Sequence, residues 1–435
     1  MQSPTQISTV RSVLVAGQLL DVFTEWADLC PRMIADIAAA RRRVWVEVYI
    51  FHDDRGGRAV AEALIERAKA GLDVRVLADA IGSQQTPAAF WGALRQAGVK
   101  VHIYRPLWEA LTRWRRFVRF NRRNHRKLMV LDDKVGYFGG MNIIDTASAA
   151  GAPAGGVGGV DLPASAGWRD VHIRIEGDKV ADLANSFEHS WRRAQAGEQR
   201  HSARGRHTGT QARSRREMRA LLADLRGAAG GPEGDMNAPR VDPNPTSAAV
   251  VAAQKSIRFF DSGPGLRHSR AARLFAALLH QSRQRVTLSM AYFIPIGSVL
   301  RALLSARRRC VRIRVIIPGK SDVPLVQRAT MHLYSSLLHR GFRVYERRDR
   351  MLHSKVLVMD GLWSVVGSCN LDPQSLTTNL EFLAVVRSRE FAKVIEEVCR
   401  EEMKASHRVR LSDCGKMGWW DRVLNRVAWT FRRWL

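Results

Sequence analysis

The sequence predicts an α/β fold that is built twice within one chain of 435 residues. Two observations lead to this prediction: both halves carry the same order of strand-like and helix-like segments, and matching residues keep a constant spacing. Tyr49 and Tyr292 lie 243 residues apart, and so do Gly98 and Gly341. An internal repeat of this kind indicates a duplicated domain. We therefore expect two α/β domains, each with a largely parallel or mixed sheet.

Each half opens with an apolar, β-branched and aromatic run that is typical of a buried strand. These runs are VWVEVYIF at 44–51 and VTLSMAYFIP at 286–295. A helical pattern follows, AVAEALIERAKAG or SVLRALLSARRR, and then a second strand, VRVLAD or IRVIIPG. The next helix ends at Gly98 or Gly341, because glycine readily adopts the left-handed conformation that stops a helix. A third strand, VKVHIY or FRVYER, completes a β-α-β-α-β order.

The repeat and the composition divide the chain into four parts. We expect a first domain at 1–198, a basic Gly/Pro/Arg-rich linker at 199–245, a second domain at 246–408 and a basic Trp-rich tail at 409–435. Inside the linker, the stretch REMRALLADLRG predicts one short helix. The first half also carries an aromatic and arginine-rich insertion before its histidine motif, and a Gly/Ala-rich loop at 146–167.

Charge is the unusual feature of the composition, with 69 Lys and Arg against 41 Asp and Glu and a formal net charge of +28. Such a field attracts polyanions, of which nucleic acid and anionic lipid are the common ones. The five cysteines show no C-x-x-C spacing, which fits a reducing compartment. The most apolar early stretch, SVLVAGQLL at 12–20, is too short to span a bilayer. If the protein works at a membrane, we expect it to lie on the surface.

One motif, H-x-K-x4-D, occurs in both halves, in NHRKLMVLDD at 124–133 and LHSKVLVMDG at 352–361. On a strand, residues i and i+2 share a face, so the imidazole and the ammonium project together. A fixed ammonium beside a histidine suits the attack on a phosphoryl group, whose charge must be neutralised. The predicted catalytic residues are His125, Lys127, Asp132, His353, Lys355 and Asp360. Asp132 and Asp360 stand at strand ends and could instead brace a turn.

A Gly-rich turn ending in asparagine follows each motif, GGMN at 139–142 and GSCN at 367–370. Asn142, Ser368 and Asn370 are the predicted ligands of the non-bridging phosphate oxygens. A histidine that acts on phosphorus also needs a partner that fixes its tautomer. Asp170 and Glu381 are the candidates, because each lies 11 residues before an alanine that opens a matching helix.

These paired motifs resemble the signature of the phospholipase D superfamily, over nearly the whole chain. Within that superfamily the sequence is similar to bacterial cardiolipin synthases of the type without N-terminal transmembrane helices, often called ClsB. The closer likeness lies in stretches such as EVYIFHDDRGG, GYFGGMNI, WRDVHIRIEG and VVGSCNLDPQSLTTNLE. Gly140 stands where the second copy has Ser368, a difference that is common in such synthases.

The resemblance implies two phospholipase D-like α/β/α sandwich domains, related by a pseudo-two-fold axis, whose half-sites meet in one active site. It implies a two-step transfer through a phosphohistidine, without metal or cofactor. One of His125 and His353 would attack the phosphodiester and the other would protonate the leaving alcohol, and by analogy we favour His125 as the nucleophile. The implied reaction joins two phosphatidylglycerol molecules into cardiolipin and glycerol. The implied partners are anionic phospholipids, with the protein peripheral on the cytoplasmic face of the bacterial inner membrane.

Two other functions remain open at this point. A phospholipase D-type hydrolase or a nuclease of the same superfamily would use the same residues, and the net charge of +28 suits a nuclease as well as a lipid enzyme. A non-catalytic protein that binds membrane or nucleic acid would be expected to have lost a motif residue, and the sequence retains all of them.

The tail, WWDRVLNRVAWTFRRWL at 419–435, places apolar residues along one face of a predicted helix. This face comprises Trp420, Leu424, Val427, Phe431 and Trp434. Arginines lie beside or opposite it, an arrangement typical of a helix on an anionic membrane surface. The alternative is that the helix docks on the protein's own core, and both roles are compatible.

Overall fold

The computed structural model describes residues 10–106, 122–145, 167–199, 209–227, 255–263 and 269–432. Residues 107–121 of the aromatic insertion, 146–166 of the Gly/Ala-rich loop and most of the predicted linker lie outside the described residues, as do Arg433 and Trp434.

The first half contains the predicted strands and helices together with a hairpin and a helix that precede them. Its elements are β1 (Arg11–Val15), β2 (Gln18–Phe23), α1 (Trp26–Ala39), β3 (Arg43–Val48), α2 (Arg55–Lys69), β4 (Asp73–Asp79), α3 (Ala88–Gln96), β5 (Lys100–Tyr104), β6 (Leu128–Leu131), β7 (Val135–Gly139), β8 (His172–Glu176) and α4 (Val180–Gln199).

The second half repeats this order after a helix that connects the halves. Its elements are α5 (Gly209–Gly227), β9 (Ser256–Ser262), α6 (Arg270–Gln281), β10 (Arg285–Met290), α7 (Gly297–Arg308), β11 (Arg312–Pro318), α8 (Pro324–His339), β12 (Arg343–Arg347), β13 (Lys355–Met359), β14 (Trp363–Gly367), α9 (Pro373–Thr377), β15 (Glu381–Arg387), α10 (Arg389–Lys404), β16 (Ser406–Arg408), α11 (Leu411–Gly415) and α12 (Trp419–Thr430).

Each half builds one mixed sheet, and the two sheets correspond in seven strands, with β1 and β16 as the extra edge strands. The described strands are ordered β1-β2-β8-β7-β6-β3-β4-β5 in the first sheet and β16-β12-β11-β10-β13-β14-β15-β9 in the second. The predicted strands β3, β4 and β5 run parallel, as do β10, β11 and β12. The motif strands β6 and β13 pair antiparallel with β3 and β10. The predicted duplicated α/β fold is therefore confirmed.

The two halves share a core and a pair of backbone contacts. Aromatic rings from both halves meet there: Phe138 lies 5.4 Å from Phe259 and 6.1 Å from Phe382, measured between ring centroids. Two short parallel bridges join Asn124 to Leu380 and Arg169 to Leu352. The second bridge repeats the first with the halves exchanged, which is the relation expected of a pseudo-two-fold axis.

Two segments differ from the sequence-based expectation. The apolar stretch at 12–20 forms the hairpin β1–β2, whose turn residues Ala16 and Gly17 both have positive φ, as a tight two-residue turn requires. The linker helix is present but longer than predicted. It packs into the core of the second half through Met218, Leu221 and Leu225. The helix α5 is therefore a structural part of the second half.

Candidate active site

The two motif histidines are held by the backbone of the opposite half. Each lies in the short extended segment before β6 or β13, next to one of the two bridges. The His125 backbone amide donates to the Leu380 carbonyl at 3.0 Å, and the His353 amide donates to the Arg169 carbonyl at 2.7 Å. Because the partner in each case precedes a carboxylate residue by one position, these bonds bring Glu381 to His125 and Asp170 to His353.

The carboxylates bind the histidines in a crossed arrangement. His125 Nδ1 lies 3.2 Å from both carboxylate oxygens of Glu381. His353 Nδ1 lies 2.6 Å from Asp170 Oδ2. Each ring is thus held through Nδ1 by the half that does not supply it, and Nε2 is left as the nitrogen for chemistry. The predicted orienting residues are in contact with the histidines, and the exchange of partners between halves is a feature that the sequence did not reveal.

The two lysines lie beside the rings, as the i, i+2 spacing predicts. Lys127 Nζ donates to the His125 carbonyl at 2.8 Å. Lys355 Nζ lies 2.8 Å from His353 Nδ1 and 3.8 Å from Asp170 Oδ2, so ammonium, ring and carboxylate form one compact group. Both lysines are buried.

Burial and mutual repulsion shape the ionisation of this basic group. Burial lowers the pKa of Lys127 to about 7, and the charge of Lys355 lowers it in the same direction. Burial, followed by the charges of Lys127 and Lys355, holds the pKa of His125 well below its usual value, and the charge on His353 contributes too. These effects require proximity. Together with the crossed histidine–carboxylate contacts, they indicate that the two half-sites form one site.

The two carboxylates ionise differently. Burial raises the pKa of Glu381 to about 8, against the opposing effects of Lys127 and Ser368. Burial also acts to raise the pKa of Asp170, but Lys355 and His353 outweigh it and the net pKa is lowered. The carboxylate beside His353 therefore keeps its charge more readily than the carboxylate beside His125.

The predicted phosphate ligands, Asn142, Ser368 and Asn370, are buried side chains. The Asn142 side-chain oxygen accepts from the Ile50 amide at 3.1 Å, which fixes its amide group. The Ser368 hydroxyl donates to Glu381 and also accepts from the Phe382 amide at 3.0 Å. Ser368 therefore supports the carboxylate rather than standing free for a ligand.

Asp132 and Asp360 bind backbone amides rather than the histidines, so their contacts favour the structural role over the catalytic one. Each ends a motif strand, about 16 Å along the chain from its lysine, in a left-handed conformation with φ of 53° and 54°. The Asp132 carboxylate accepts from three consecutive backbone amides, at 41–43, at 2.8–3.1 Å. Asp360 does the same for the amides at 283–285, at 2.8–2.9 Å. Both residues brace the entry to the neighbouring strand, the alternative that their strand-end position allowed.

Sequence reasoning missed two aromatic residues of the site. The Tyr49 ring meets the His125 ring edge-on, with centroids 4.9 Å apart, and the Trp168 ring lies 5.0 Å from the His353 ring. A small cleft opens beside His353, and it is lined by Trp26, Met141, Asn142, Ile144, Trp168 and Asp170. Tyr49 anchors the repeat alignment and Trp168 starts the stretch WRDV, so both positions carried a sequence signal.

A second, larger polar cleft lies between α4 and β9, lined by residues of both charges such as Lys179, Glu188 and Arg258, and it includes none of the motif residues. In the described ranges, no group of three or more His, Cys, Asp or Glu side chains is arranged to hold a metal ion. Among the described residues, no helix is both long and apolar enough to cross a membrane.

A family profile described as cardiolipin synthase, phospholipase D-like domain, matches residues 33–150 and 275–403, more than half of the chain. The chain belongs to this cardiolipin synthase family. Each matched segment contains its own histidine–lysine motif, so the family profile covers both half-sites. The connecting region and the helix α12 lie outside the matched residues.

Curated relatives of the family match most of the chain. Cardiolipin synthase A of Pseudomonas fluorescens is 28% identical over 86% of this chain and 68% of its own length. The major cardiolipin synthase ClsA of Bacillus subtilis is 27% identical over 96% of this chain and 76% of its own. Among solved structures, phosphatidylserine synthase of Haemophilus influenzae aligns with 98% of this chain and 94% of its own, at 14% identity and a TM-score of 0.63. That structure supports the fold.

Proposed function

We propose that this chain is a cardiolipin synthase, a phosphatidyltransferase that joins two phosphatidylglycerol molecules and releases glycerol. The observation that carries the proposal is the crossed pair of buried histidine–carboxylate contacts, flanked by two lysines, in a member of the cardiolipin synthase family. Two imidazoles with differently ionised partners suit a reaction that needs one nucleophile and one proton donor.

In the first step, His125 acts as the nucleophile. Its pKa is held well below the usual value by burial and the nearby lysines, so the ring is neutral and its Nε2 lone pair is available. Nε2 attacks the phosphorus of the donor lipid, the new P–N bond forms, and the P–O bond to the glycerol head group breaks. The departing oxygen takes a proton from His353.

His353 suits the role of the acid because of its partner. Burial and Lys355 lower its pKa, but the charge of Asp170 and its hydrogen bond act in the opposite direction. The negative phosphodiester adds a second anion when it binds, which further favours the imidazolium. His125 lacks such support, since Glu381 is largely uncharged near neutral pH.

In the second step, the roles reverse. The neutral His353 accepts the proton from a hydroxyl of the second phosphatidylglycerol while that oxygen attacks the phosphorus. The P–O bond of cardiolipin forms, the P–N bond breaks, and His125 returns to its starting state. We place the oxygen of the leaving or entering glycerol beside His353, because the proton must pass between that ring and the glycerol oxygen.

Lys127, Lys355, Asn142 and Asn370 are the proposed ligands of the phosphate oxygens. Neutralisation of the charge on these oxygens lowers the barrier to attack by a nitrogen lone pair. Asp170 and Glu381 orient the rings through Nδ1. Burial of the histidines and lysines limits the access of water to the phosphohistidine, which favours transfer over hydrolysis.

We further propose that the enzyme acts as a peripheral protein on the cytoplasmic face of the bacterial inner membrane. The net charge of +28 supports an anionic lipid surface as the partner. The relatives named above carry the name ClsA or cardiolipin synthase A, so the ClsB type stays a prediction.

The test is to incubate the purified full-length protein with radiolabelled phosphatidylglycerol in vesicles, and separately with plasmid DNA. Labelled cardiolipin with release of glycerol, and an intact plasmid, is the expected result. Phosphatidic acid as the sole lipid product would make the chain a hydrolase instead. Plasmid cleavage without lipid turnover would establish the nuclease function, which the net charge also suits.

A further inference from the structure

The helix α12 presents three different faces. Successive residues of a helix are about 100° apart, which places Trp420, Leu424, Val427 and Phe431 within about 60° of one another. Asn425, Ala428 and Trp429 lie on a second face, and Arg422 and Arg426 lie beyond this second face, about 100–180° from the first. The helix is outside the residues that the family profile matches.

The second face docks on α8. Asn425 and Ala428 are buried. Arg328 of α8 lies 3.3 Å from Asp421, and the ring of His332 stacks on Trp429 with centroids 5.5 Å apart. These contacts fix the helix on the second half of the protein.

The docked face is one packing layer from the active site. Ala428 packs in a small cluster with Ile294, Val326 and Ala329. The Ile294 amide donates to the Leu371 carbonyl at 2.7 Å, and Leu371 directly follows the proposed phosphate ligand Asn370. The position of α12 is therefore coupled to the wall of the site through backbone contacts.

The first face is exposed with respect to the described part of the chain. Trp420 is 62% exposed, Phe431 52%, Val427 47% and Leu424 44%. The neighbouring Trp419 is also 62% exposed and stacks on Trp420. A continuous apolar strip of this kind is costly in water and marks an interaction surface. Tryptophan at one end is typical of residues that sit at the boundary between lipid and water.

The positive charge of the helix and of the whole chain indicates the partner. Arg422 and Arg426 are exposed on the same helix, and Asp421, the acidic residue in the first turn, lies beside Arg328. Exposed arginines on a helix with an apolar strip, in a chain of net charge +28, complement an anionic bilayer, in which acyl chains lie beneath negative head groups.

We propose that α12 inserts its exposed face into an anionic lipid bilayer and, because it is docked on the wall of the active site, holds that site at a set orientation to the lipid surface. This inference rests on the proposed function for the identity of the lipid. It adds the element that binds the membrane and the contacts that couple this element to catalysis.

The test uses the full-length protein with the changes Leu424→Ser, Val427→Ser and Phe431→Ser together. Co-sedimentation with phosphatidylglycerol vesicles should fall at least about tenfold, with an unchanged circular dichroism spectrum and melting temperature because the docked face is intact. The matched control carries Leu14→Ser, Leu19→Ser and Leu411→Ser, three exposed leucines elsewhere, and should bind as the wild type does. Equal binding by the α12 variant would overturn the proposal.

Two further measurements are needed. The first tests whether charge contributes to membrane binding in addition to apolar contact, and the second tests whether the variants keep their catalytic activity away from a membrane. Arg422→Glu with Arg426→Glu should weaken binding to phosphatidylglycerol vesicles several-fold more than binding to phosphatidylcholine vesicles. On a short-chain phosphatidylglycerol dissolved as monomers, all variants should turn over at the wild-type rate. Absence of turnover in the wild type would refute the proposed function while vesicle binding still tests α12.

Other occupants of the strip give different results. Self-association of the wild type that the triple serine variant abolishes, without vesicle binding, would assign the face to a second copy of the chain. Binding of single-stranded DNA that competes with vesicles and depends on the same three apolar residues would assign it to nucleic acid. Either result overturns the membrane proposal.

Discussion

The two halves of the molecule share strand order and the spacing of histidine and lysine, but they differ in the carboxylate that each half offers to the other. The first half supplies Asp170, which is ionised and 2.6 Å from His353. The second half supplies Glu381, which lies 3.2 Å from His125 and whose pKa burial raises to about 8. A duplicated scaffold therefore holds two chemically different histidines.

The two halves also differ in the residue that lies next to each carboxylate. A Cβ atom at Gly140 would lie 2.1 Å from Asp170 Oδ1, so the backbone at this position must lack a side chain for Asp170 to reach His353. At the equivalent position of the second half, Ser368 donates its hydroxyl to Glu381. The shorter acid goes with glycine and the longer acid with serine. A reaction that needs a nucleophile and an acid at once explains why the symmetry is broken here.

The largest expected effect comes from removing each histidine. With phosphatidylglycerol, His125→Ala and His353→Ala should each lower kcat by about a thousandfold or more. The variants should differ on a phosphodiester with a nitrophenol leaving group, which departs without a proton. His353→Ala should then release a burst of about one nitrophenol per site, because His125 still attacks, whereas His125→Ala should release none. A burst from His125→Ala instead would exchange the two roles.

The next largest loss of activity is expected when the two orienting carboxylates are changed. Asp170→Asn should lower kcat/KM about a hundredfold at pH 7. Glu381→Gln should cost only a few-fold, because burial raises the pKa of Glu381 to about 8 and glutamine resembles its uncharged form. The charge of Asp170 raises the pKa of His353, so its removal lowers that pKa and moves the alkaline limb of the pH–rate profile to lower pH.

Glu381→Gln should follow the wild-type profile at neutral pH and separate from it as the pH rises through about 8, where the glutamate ionises. Equal losses in the two variants at pH 7 would show that the carboxylates do not differ in charge.

A smaller difference is expected between the residues beside the acids. Gly140→Ala should lower kcat/KM about tenfold, because the new methyl group displaces Asp170 from His353. Ser368→Ala removes one hydroxyl donor to a carboxylate that is already largely uncharged, and should cost about two- to threefold. Steady-state kinetics on both purified variants measures the difference, and a greater loss in the serine variant would reverse the order.

The smallest kinetic effect is expected for the two strand-end aspartates, which make the same backbone contacts in both halves. Asp132→Asn and Asp360→Asn should each reduce the free energy of unfolding by about 1–2 kcal/mol, since asparagine offers one acceptor oxygen to three amides. The kcat of the folded protein should stay within about threefold. Denaturant unfolding and kinetics on the same samples test this. A large kcat loss with intact stability would return these aspartates to the catalytic group.

The pH dependence of the Asp132 variant follows from the same contacts. Burial acts to raise the pKa of Asp132, but the three backbone amides outweigh it and the net pKa is lowered. A lowered pKa gives stability that is present above the pKa of the unfolded chain, about 4, and is lost as the pH falls through the folded value. The difference in stability from the wild type should therefore vanish in acid.

Much of the fold could be predicted from sequence because the repeat itself is visible along the chain. Strands such as Arg43–Val48 and Arg285–Met290 follow apolar runs, and the stops at Gly98 and Gly341 follow from the conformation of single residues. The hairpin β1–β2 and the helices α1 and α6 were missed. The hairpin depends on a two-residue turn at Ala16 and Gly17, and α6 on packing against its neighbour α7.

The sequence by itself determined the duplication, the shared face of each histidine and lysine, and the identity of the two carboxylates, because these depend on spacing along the chain. The tertiary structure decided which carboxylate faces which histidine, since that contact joins residues 183 and 256 positions apart. It also decided the ionisation of the site, which burial and neighbouring charges set, and it moved Asp132 and Asp360 out of the chemistry. Proximity across the interface between the halves controls the first two, and contacts within each half control the third.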